Sequence, residues 1–134
     1  MKFAIVSDTH DNLATFGKII NWLNTEKIEL MLHCGDICTE ETIQEAEKLF
    51  NGKIEFVRGN GDYSVKDLPD SLSLDIGGKK VVLIHYPDLA RKLAENGKYD
   101  FFVFVPKPDG SPANRALVIL DAKPRGGTPQ REIA

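Results

Sequence analysis

Four apolar runs of this sequence each lead directly into a short polar segment. The runs are rich in Ile, Leu, Val and Phe and occupy residues 3–6, 30–32, 54–57 and 81–84. The segments that follow them contain acidic, imidazole and amide side chains: Asp8, His10, Asp36, Asn60, Asp62 and His85. Ligands of open α/β sheets bind beyond the carboxyl ends of the strands, so this repeated placement predicts one site at which the segments converge.

The side chains at these positions are suited to binding a divalent cation. Carboxylate, imidazole and amide oxygen together suit Mn²⁺, Fe²⁺, Zn²⁺ or Ni²⁺. Taken singly, each residue has an ordinary structural role: Asp8 can cap a helix, Asp36 and Asn60 can belong to turns, and His85 can be a buried core histidine. Successive strands that deliver ligand types at the same end are more specific, and a carboxylate such as Asp36 can bridge two cations.

The first half of the chain alternates strand and helix patterns. We expect strands at residues 2–7, 29–33 and 53–57, with helices at residues 11–26 and 39–50 between them. In the first helix, Leu13, Phe16, Ile20 and Leu23 recur at helical spacing, and Asn12 or Asp11 can cap its start. This β-α-β-α-β order predicts parallel strands joined by right-handed crossovers, and therefore an α/β fold.

The pattern changes after residue 70. Residues 72–76 and 80–84 flank Gly77-Gly78 and predict a β-hairpin. A short helix is expected at residues 87–96, a strand at 99–105, a proline-rich loop at 106–114, a last strand at 116–120 and a loose Gly/Pro-rich tail from Lys123. We find no internal repeat or linker, so residues 1–134 are expected to form a single domain.

The composition excludes several classes of protein. A hydrophobic fraction of 42% and a charged fraction of 28% are ordinary for a globular protein, and the net charge of −3 predicts no specific binding to nucleic acid or an anionic membrane. No apolar run reaches the roughly 18 residues of a membrane span, and no signal peptide is recognisable, so we expect a cytoplasmic protein. Cys34 and Cys38 form a lone C-x₃-C pair, a weak zinc signal, and we expect packed or idle thiols.

The polar segments also resemble a known family. Ser7-Asp8-Thr9-His10-Asp11-Asn12, His33-Cys34-Gly35-Asp36, Arg58-Gly59-Asn60-Gly61-Asp62 and Leu83-Ile84-His85 resemble, in order and spacing, the motifs of the calcineurin-like metallophosphoesterases. The similarity is greatest to the small prokaryotic phosphodiesterases of that family and extends over residues 1 to about 104. It implies a four-layer α-β-β-α sandwich with a dinuclear metal centre at the strand ends.

The resemblance also implies a role for each site residue. Asp8 and His10 would bind the first cation, Asp36 would bridge, and Asn60 and His85 would bind the second. Asp36, Asn60 and Asp62 would serve catalysis, Asp62 by orienting other groups. Water activated by both cations would attack the phosphorus of a phosphoester substrate. The implied cofactors are up to two divalent ions, Mn²⁺ foremost, with Ni²⁺, Fe²⁺ and Zn²⁺ as alternatives, and a homo-oligomer is left open. Arg58 could lend positive charge to the site or lie at the surface.

The sequence departs from the family near its C-terminus. The family has Gly-His-x-His after the strand that begins here at Tyr99, whereas this chain has Val105-Pro106-Lys107-Pro108. The three histidines of the sequence are His10, His33 and His85, and we expect His33 to lie in the core or beside the ligands. The fold is therefore expected to be shortened, with one ligand fewer for each cation, through an internal loss or an altered reading frame. The alternative to a hydrolase is a catalytically impaired scaffold that binds a protein partner, as the retromer subunit of this family does.

Overall fold

The first half of the chain forms a parallel β-α-β-α-β unit, as predicted. The computed structural model describes residues 2–95, 97–103, 117–121 and 130–133. In chain order the unit consists of β1 (Lys2–Val6), α1 (Leu13–Thr25), β2 (Leu30–His33), α2 (Glu40–Leu49) and β3 (Lys53–Phe56). Both β1 and β3 pair in parallel with β2, so the carboxyl ends of all three strands lie at one edge of the sheet.

The two helices of this unit begin at capping residues. Asn12 precedes α1 and its side chain accepts a hydrogen bond from the Thr15 amide, while Thr39 does the same for α2 through the Thr42 amide. These caps satisfy amides that have no partner within the first helical turn. The buried face of α1 carries Phe16, Ile20 and Leu23, which are members of the predicted periodic set.

A second, smaller sheet follows. Strands β4 (Ser71–Ile76) and β5 (Lys79–Ile84) form the predicted antiparallel hairpin. Its turn is Gly77-Gly78, both at positive φ (58° and 79°), a conformation that glycine adopts without steric cost. Helix α3 (Pro87–Ala94) then leads to β6 (Phe101–Val103), which pairs in parallel with β5. Helix α3 ends two residues before the predicted bound of residue 96.

Two further strands complete the first sheet. Strand β7 (Leu117–Asp121) pairs antiparallel with β1, and β8 (Gln130–Ile133) pairs antiparallel with β7, giving the order β3-β2-β1-β7-β8. The predicted last strand is confirmed. The prediction of a loose tail from Lys123 is wrong at β8, because pairing with β7 orders a segment whose own sequence signal is weak. Residues 104 and 105 of the predicted sixth strand, and the predicted loop at 106–114, lie outside the described residues.

The core has two parts, one on each face of the larger sheet. Phe16, Ile20 and Leu23 of α1 pack with Met31 of β2 on one face. On the other face Leu32, the next residue of β2, packs with the smaller sheet. Successive residues of a strand point to opposite faces, so β2 is apolar on both. Ala90 of α3 is also buried, and α3 packs against β5. The layers are thus α1 and α2, the larger sheet, the smaller sheet and α3, which confirms the predicted α-β-β-α sandwich.

Within the described part of the chain, every helix is too short or too polar to cross a membrane.

Candidate metal centre

The loops that follow β1 and β2 lie side by side beyond the sheet edge. The Asp8 amide donates to the Gly35 carbonyl at 3.0 Å, and the His10 amide donates to the Asp36 carbonyl at 2.9 Å. One step further, the Asp11 amide donates to the Ile37 carbonyl at 3.3 Å. The pairing of the two strands therefore continues into the loops and fixes the relative positions of their side chains.

Three predicted ligands in these loops adopt left-handed backbone conformations. The φ angles are 57° at Asp8, 46° at His10 and 63° at Asp36. Aspartate tolerates this region better than most residues, but such conformations still cost on the order of 1–3 kcal/mol each, and they concentrate at functional sites. The backbone of the two loops therefore departs from the extended conformation of the strands at each of these three residues.

These three side chains present a compact set of donor atoms. His10 Nε2 lies 3.6 Å from Asp8 Oδ1 and 3.7 Å from Asp36 Oδ2, and all three residues offer ligand atoms within 4.8 Å of one another. Two ligands about 2.1 Å from one ion in tetrahedral geometry lie about 3.4 Å apart. The observed spacing therefore fits a single cation.

The buried carboxylate of Asp8 also needs a partner. Asp8 is buried, and its Oδ2 atom has no hydrogen-bond partner among the residues that the structure describes. Burial raises the pKa of this carboxyl, the hydrogen bond from Ser7 lowers it, and the neighbouring Asp36 raises it again. A buried, unsatisfied carboxylate oxygen is costly, and a bound cation is one way to remove that cost.

A second group of donors lies on the other side of Asp36. His85 Nε2 is 3.8 Å from Asp36 Oδ2 and 3.1 Å from Asn60 Oδ1. His85 Nδ1 donates to the Cys34 carbonyl at 2.7 Å, which leaves Nε2 as a lone-pair donor that faces the site. The structure thus brings together all five predicted metal ligands: Asp8, His10, Asp36, Asn60 and His85.

The amide of Asn60 indicates what this second group requires. With Oδ1 directed inward, it meets only acceptors, namely His85 Nε2 and the carboxylate of Asp36. Rotation of the amide by half a turn places its nitrogen 3.1 Å from His85 Nε2 and 3.1 Å from Asp36 Oδ2, where it can donate. The oxygen-inward orientation is therefore satisfied by a cation, and the nitrogen-inward orientation is satisfied without one.

Asp36 lies between the two groups of donors, and its two carboxylate oxygens have different contacts. Oδ1 accepts a hydrogen bond from the Gly61 amide at 2.7 Å, while Oδ2 lies between the His10 and His85 rings. The preceding Gly35 has φ 104°, and a Cβ atom there would lie 2.7 Å from the Gly59 amide nitrogen and 2.8 Å from His85 Nδ1. Glycine is needed at this position for both conformation and close approach. Oδ2 therefore lies within 3.8 Å of both His10 Nε2 and His85 Nε2.

Comparison with known proteins identifies the family. Residues 1–104 match the sequence model of the calcineurin-like phosphoesterase superfamily domain. The chain belongs to this superfamily. A phosphodiesterase of Methanocaldococcus jannaschii is 31% identical over 119 residues, with 78% of this chain and 71% of that relative covered. The resemblance seen in the sequence is confirmed, and with it the expectation of a metal-dependent phosphoesterase.

Solved structures share the fold of this calcineurin-like phosphoesterase. A novel archaeal phosphodiesterase superposes with a TM-score of 0.79 at 24% identity, covering 99% of both chains. Vps29 from Entamoeba histolytica, complexed with zinc, superposes at 0.67 with 16% identity and covers 99% of this chain and 98% of that one. Vps29 from Cryptosporidium parvum gives 0.67 at 14% identity, with 99% and 97% covered. Residues 105–108, which stand where the family has Gly-His-x-His, lie outside the described part of the chain.

Asp62 of this phosphoesterase holds the loops of the site in place. It is fully buried, and its Oδ2 accepts hydrogen bonds from the Asp36 and Gly59 amides, both at 2.8 Å. Its Oδ1 accepts one from the Cys38 amide at 2.7 Å. A carboxylate with both oxygens bonded to backbone amides has a structural task here, so a contribution of Asp62 to catalysis would be made by positioning Asp36.

Arg58 makes hydrogen bonds to the backbone of the same loop. Its guanidinium donates to the Asp62 carbonyl at 2.7 Å and to the Val65 carbonyl at 2.8 Å. The side chain is half-buried and is bound at both ends of its fork. The structure adds a role that was not expected from the sequence, because Arg58 binds the backbone that carries Asp62; its contribution of positive charge to the site stays a prediction.

His33 is a core residue, as expected. Its Nδ1 accepts from the Gly35 amide at 3.1 Å, so Nε2 carries the proton and donates to Thr9 Oγ1 at 3.0 Å. The ring lies between Phe16 and Phe56, with centroids 5.7 and 5.6 Å away. Burial lowers the pKa of His33 to about 3, so the ring is neutral. Both ring nitrogens make hydrogen bonds within the protein, so neither is free to bind a cation.

The two free cysteines differ in their surroundings. Cys34 is buried in the core, which raises its pKa far above the usual range, and the expectation of a packed thiol is confirmed. Cys38 is half-buried, and its Sγ lies 3.7 Å from His10 Nδ1. Burial, with smaller contributions from Asp11 and other acidic neighbours, raises the pKa of Cys38 to about 11. Contact with a site residue was not expected, although Cys38 follows Asp36 by only two positions.

Proposed function

We propose that this chain is a phosphodiesterase that holds up to two divalent cations. The observation that carries the proposal is the position of Asp36 Oδ2, which lies 3.7 Å from His10 Nε2 and 3.8 Å from His85 Nε2. A carboxylate oxygen between two lone-pair nitrogens is suited to bridging two ions. The phosphodiesterase relative, at 31% identity, supports a diester rather than a monoester substrate.

The ligands divide into two sets that share Asp36. Asp8 and His10 complete the first set, and the unsatisfied Oδ2 of Asp8 supports this assignment. Asn60 and His85 complete the second, supported by the 3.1 Å separation of Asn60 Oδ1 and His85 Nε2. Each cation then has three protein ligands, and such a set leaves positions open for water and substrate.

The residues around Asp36 keep the two sets in register. The Asp36 amide donates to Asp62 at 2.8 Å, and the Gly61 amide donates to Asp36 Oδ1 at 2.7 Å. When bound, divalent cations would lower the pKa of water and neutralise the negative charge on a phosphoryl group. The contribution of the chain is preorganisation. Asp36 is held by hydrogen bonds of its backbone amide and of its Oδ1 atom before substrate arrives, which fixes the position of Oδ2.

The second set is the weaker one. Asn60 is a neutral and weak donor, while the first set contains the additional carboxylate of Asp8. We therefore propose that the second cation dissociates readily and that activity requires added metal above stoichiometric amounts. Carboxylate and amide oxygens favour Mn²⁺, while the two imidazoles leave Ni²⁺, Fe²⁺ and Zn²⁺ as alternatives.

Elemental analysis of the purified protein, together with a hydrolysis assay, tests the proposal. Bis-(p-nitrophenyl) phosphate should be hydrolysed in the presence of Mn²⁺ or Ni²⁺, faster than p-nitrophenyl phosphate, and chelation should abolish the reaction. Calorimetric titration of metal-free protein with Mn²⁺ should show one tighter and one weaker site. Two tight and equivalent sites would mean that other groups complete the coordination.

Hydrolysis has to be measured in addition to metal binding. The fold is shared with Vps29, and one of those structures is a complex with zinc, so neither fold nor metal alone separates an enzyme from a scaffold. Metal binding without turnover of either ester would favour the scaffold that binds a protein partner. Absence of both metal binding and turnover would also remove the dinuclear centre.

A further inference from the structure

Cys38 contacts residues of the two neighbouring loops through its amide, its carbonyl and its sulfur. Its amide donates to Asp62 Oδ1 at 2.7 Å, and its carbonyl accepts from Ser64 Oγ at 2.9 Å. Its Sγ atom lies 3.7 Å from His10 Nδ1. The residue therefore connects the loop after β2 to the loops after β1 and β3.

The backbone at Cys38 would suit glycine better. Its φ is 84°, a left-handed conformation in which a Cβ atom is disfavoured. The hydrogen bonds with Asp62 and Ser64 are made by the Cys38 backbone, so glycine could make both. What a cysteine adds at this position is the sulfur, and the polar atom that the sulfur contacts is His10 Nδ1.

A hydrogen-bond partner at Nδ1 would fix the orientation of the His10 ring. Its Nε2 faces Asp8 Oδ1 and Asp36 Oδ2, and its side chain is 38% exposed. A neutral histidine that binds a cation through Nε2 carries its proton on Nδ1, and metal-binding histidines almost always donate that proton to a further group. In the described residues the sulfur of Cys38 is the only hydrogen-bond partner of Nδ1.

We propose that Cys38 is a positioning residue for His10: its sulfur accepts the Nδ1–H hydrogen bond and keeps Nε2 directed at the first cation. The inference rests on the proposed metal centre. Cys38 acts through His10 and is not itself a ligand, because Nδ1 and Nε2 face away from each other. Consistent with this, the donor cluster of Asp8, His10 and Asp36 does not include Cys38.

The test compares Cys38→Gly, Cys38→Ser and wild type in Mn²⁺ activation of bis-(p-nitrophenyl) phosphate hydrolysis. Cys38→Gly keeps both backbone contacts and relieves the left-handed conformation, so its melting temperature should not fall. Its half-activating Mn²⁺ concentration should rise by about 10-fold, the lower end of the usual effect of removing a partner of a metal ligand. The rate at saturating Mn²⁺ should return close to that of wild type. Cys38→Ser retains an acceptor and should shift less.

Lys27→Gly is the matched control. Lys27 is exposed, has φ 58°, and lies between α1 and β2, at the opposite end of β2 from the site. This substitution relieves the same kind of backbone conformation without touching a ligand. Its Mn²⁺ activation curve should be that of wild type.

Each outcome separates this inference from the proposed function. Wild type that neither binds Mn²⁺ in calorimetric titration nor hydrolyses either ester would refute both. Wild type that binds Mn²⁺ without hydrolysis would refute only the phosphodiesterase, and an Mn²⁺ affinity unchanged in Cys38→Gly would then refute the role of Cys38. An active wild type whose activation curve is unchanged in Cys38→Gly would refute only the role of Cys38. A near-ultraviolet thiolate charge-transfer band in the Co²⁺-loaded protein, lost in Cys38→Ser, would also refute it, because Cys38 would then be a ligand. Should Cys38→Gly fail to fold, Cys38→Ala carries the same comparison.

Discussion

Gly59→Ala should displace the carboxylate of Asp36 without replacing any of the proposed metal ligands. A Cβ atom at Gly59 would lie 2.6 Å from the Asp36 amide nitrogen and 3.0 Å from Asp36 Cγ, and it would also contact Oδ1. Carbon atoms of this kind do not approach nitrogen so closely in folded proteins. Gly59 is not among the glycines at positive φ, so alanine is compatible with its backbone and the effect is purely steric.

The expected magnitude follows from the distance that has to be gained. Ordinary van der Waals contact requires about 3.5 Å, so Asp36 or Gly59 must move by about 0.5–1 Å. Overpacking of this kind costs about 1–3 kcal/mol of stability, and a misplacement of about 1 Å in a catalytic group costs on the order of 100-fold in rate. The loss of activity should therefore exceed what the loss of stability alone explains.

Urea unfolding and metal-dependent hydrolysis of Gly59→Ala, each with and without Mn²⁺, measure the two effects separately. Gly17→Ala is the control, because a Cβ atom at Gly17 in α1 meets nothing within 4 Å. Alanine in a helix interior is favoured by up to about 1 kcal/mol over glycine, so the control should be more stable and equally active. A fully active Gly59→Ala with a normal Mn²⁺ response would show that the position of Asp36 is not critical.

Two further predictions concern Asp36 and His33. Asp36→Asn should remove most metal-dependent activity because it weakens both sets of ligands, whereas His33→Gln should retain more; equal losses in the hydrolysis assay would mean that His33 has been wrongly excluded as a ligand. The pKa of His33 is about 3 in the folded protein and 6.5 in the unfolded chain. Neutral His33 therefore stabilises the folded state fully above pH 6.5, and this stabilisation is lost as the pH falls from 6.5 towards 3. Metal-free protein should therefore lose about 2 kcal/mol from this group between pH 7 and pH 5 in urea unfolding, and a pH dependence identical in His33→Gln would contradict the assignment.

The local elements of the fold were predictable because their signals are local. Helical spacing of apolar residues gave α1, and Gly77-Gly78 between two apolar runs gave the hairpin of β4 and β5. The position of β7 beside β1 was not predictable, because a pairing between residues more than a hundred positions apart leaves no periodic trace in either segment. Strand β8 was missed for a related reason: its order comes from pairing with β7 and not from its own residues.

The metal-ligand candidates were predictable from residue type and strand order, but their geometry was not. Nothing in the sequence specifies that Asp8, His10 and Asp36 adopt left-handed conformations, since the neighbouring loop imposes them through backbone hydrogen bonds. The contact of Cys38 with His10 was missed because it depends on the same turns. A cysteine two positions after a predicted bridging ligand is a weak signal until the fold of the loop is known.

The buried carboxylates of the site differ in their hydrogen-bond partners, and this difference distinguishes Asp62 from the two proposed metal ligands, Asp36 and Asp8. Asp62 has both oxygens bonded to backbone amides and needs nothing further. Asp36 has one oxygen bonded to the Gly61 amide and the other directed between two imidazoles. Asp8 has a buried oxygen without a partner among the described residues, together with a raised pKa caused first by burial. The described hydrogen bonds to these carboxylate oxygens become fewer from Asp62 to Asp36 to Asp8, and a cation at the proposed centre would compensate the burial of the last two.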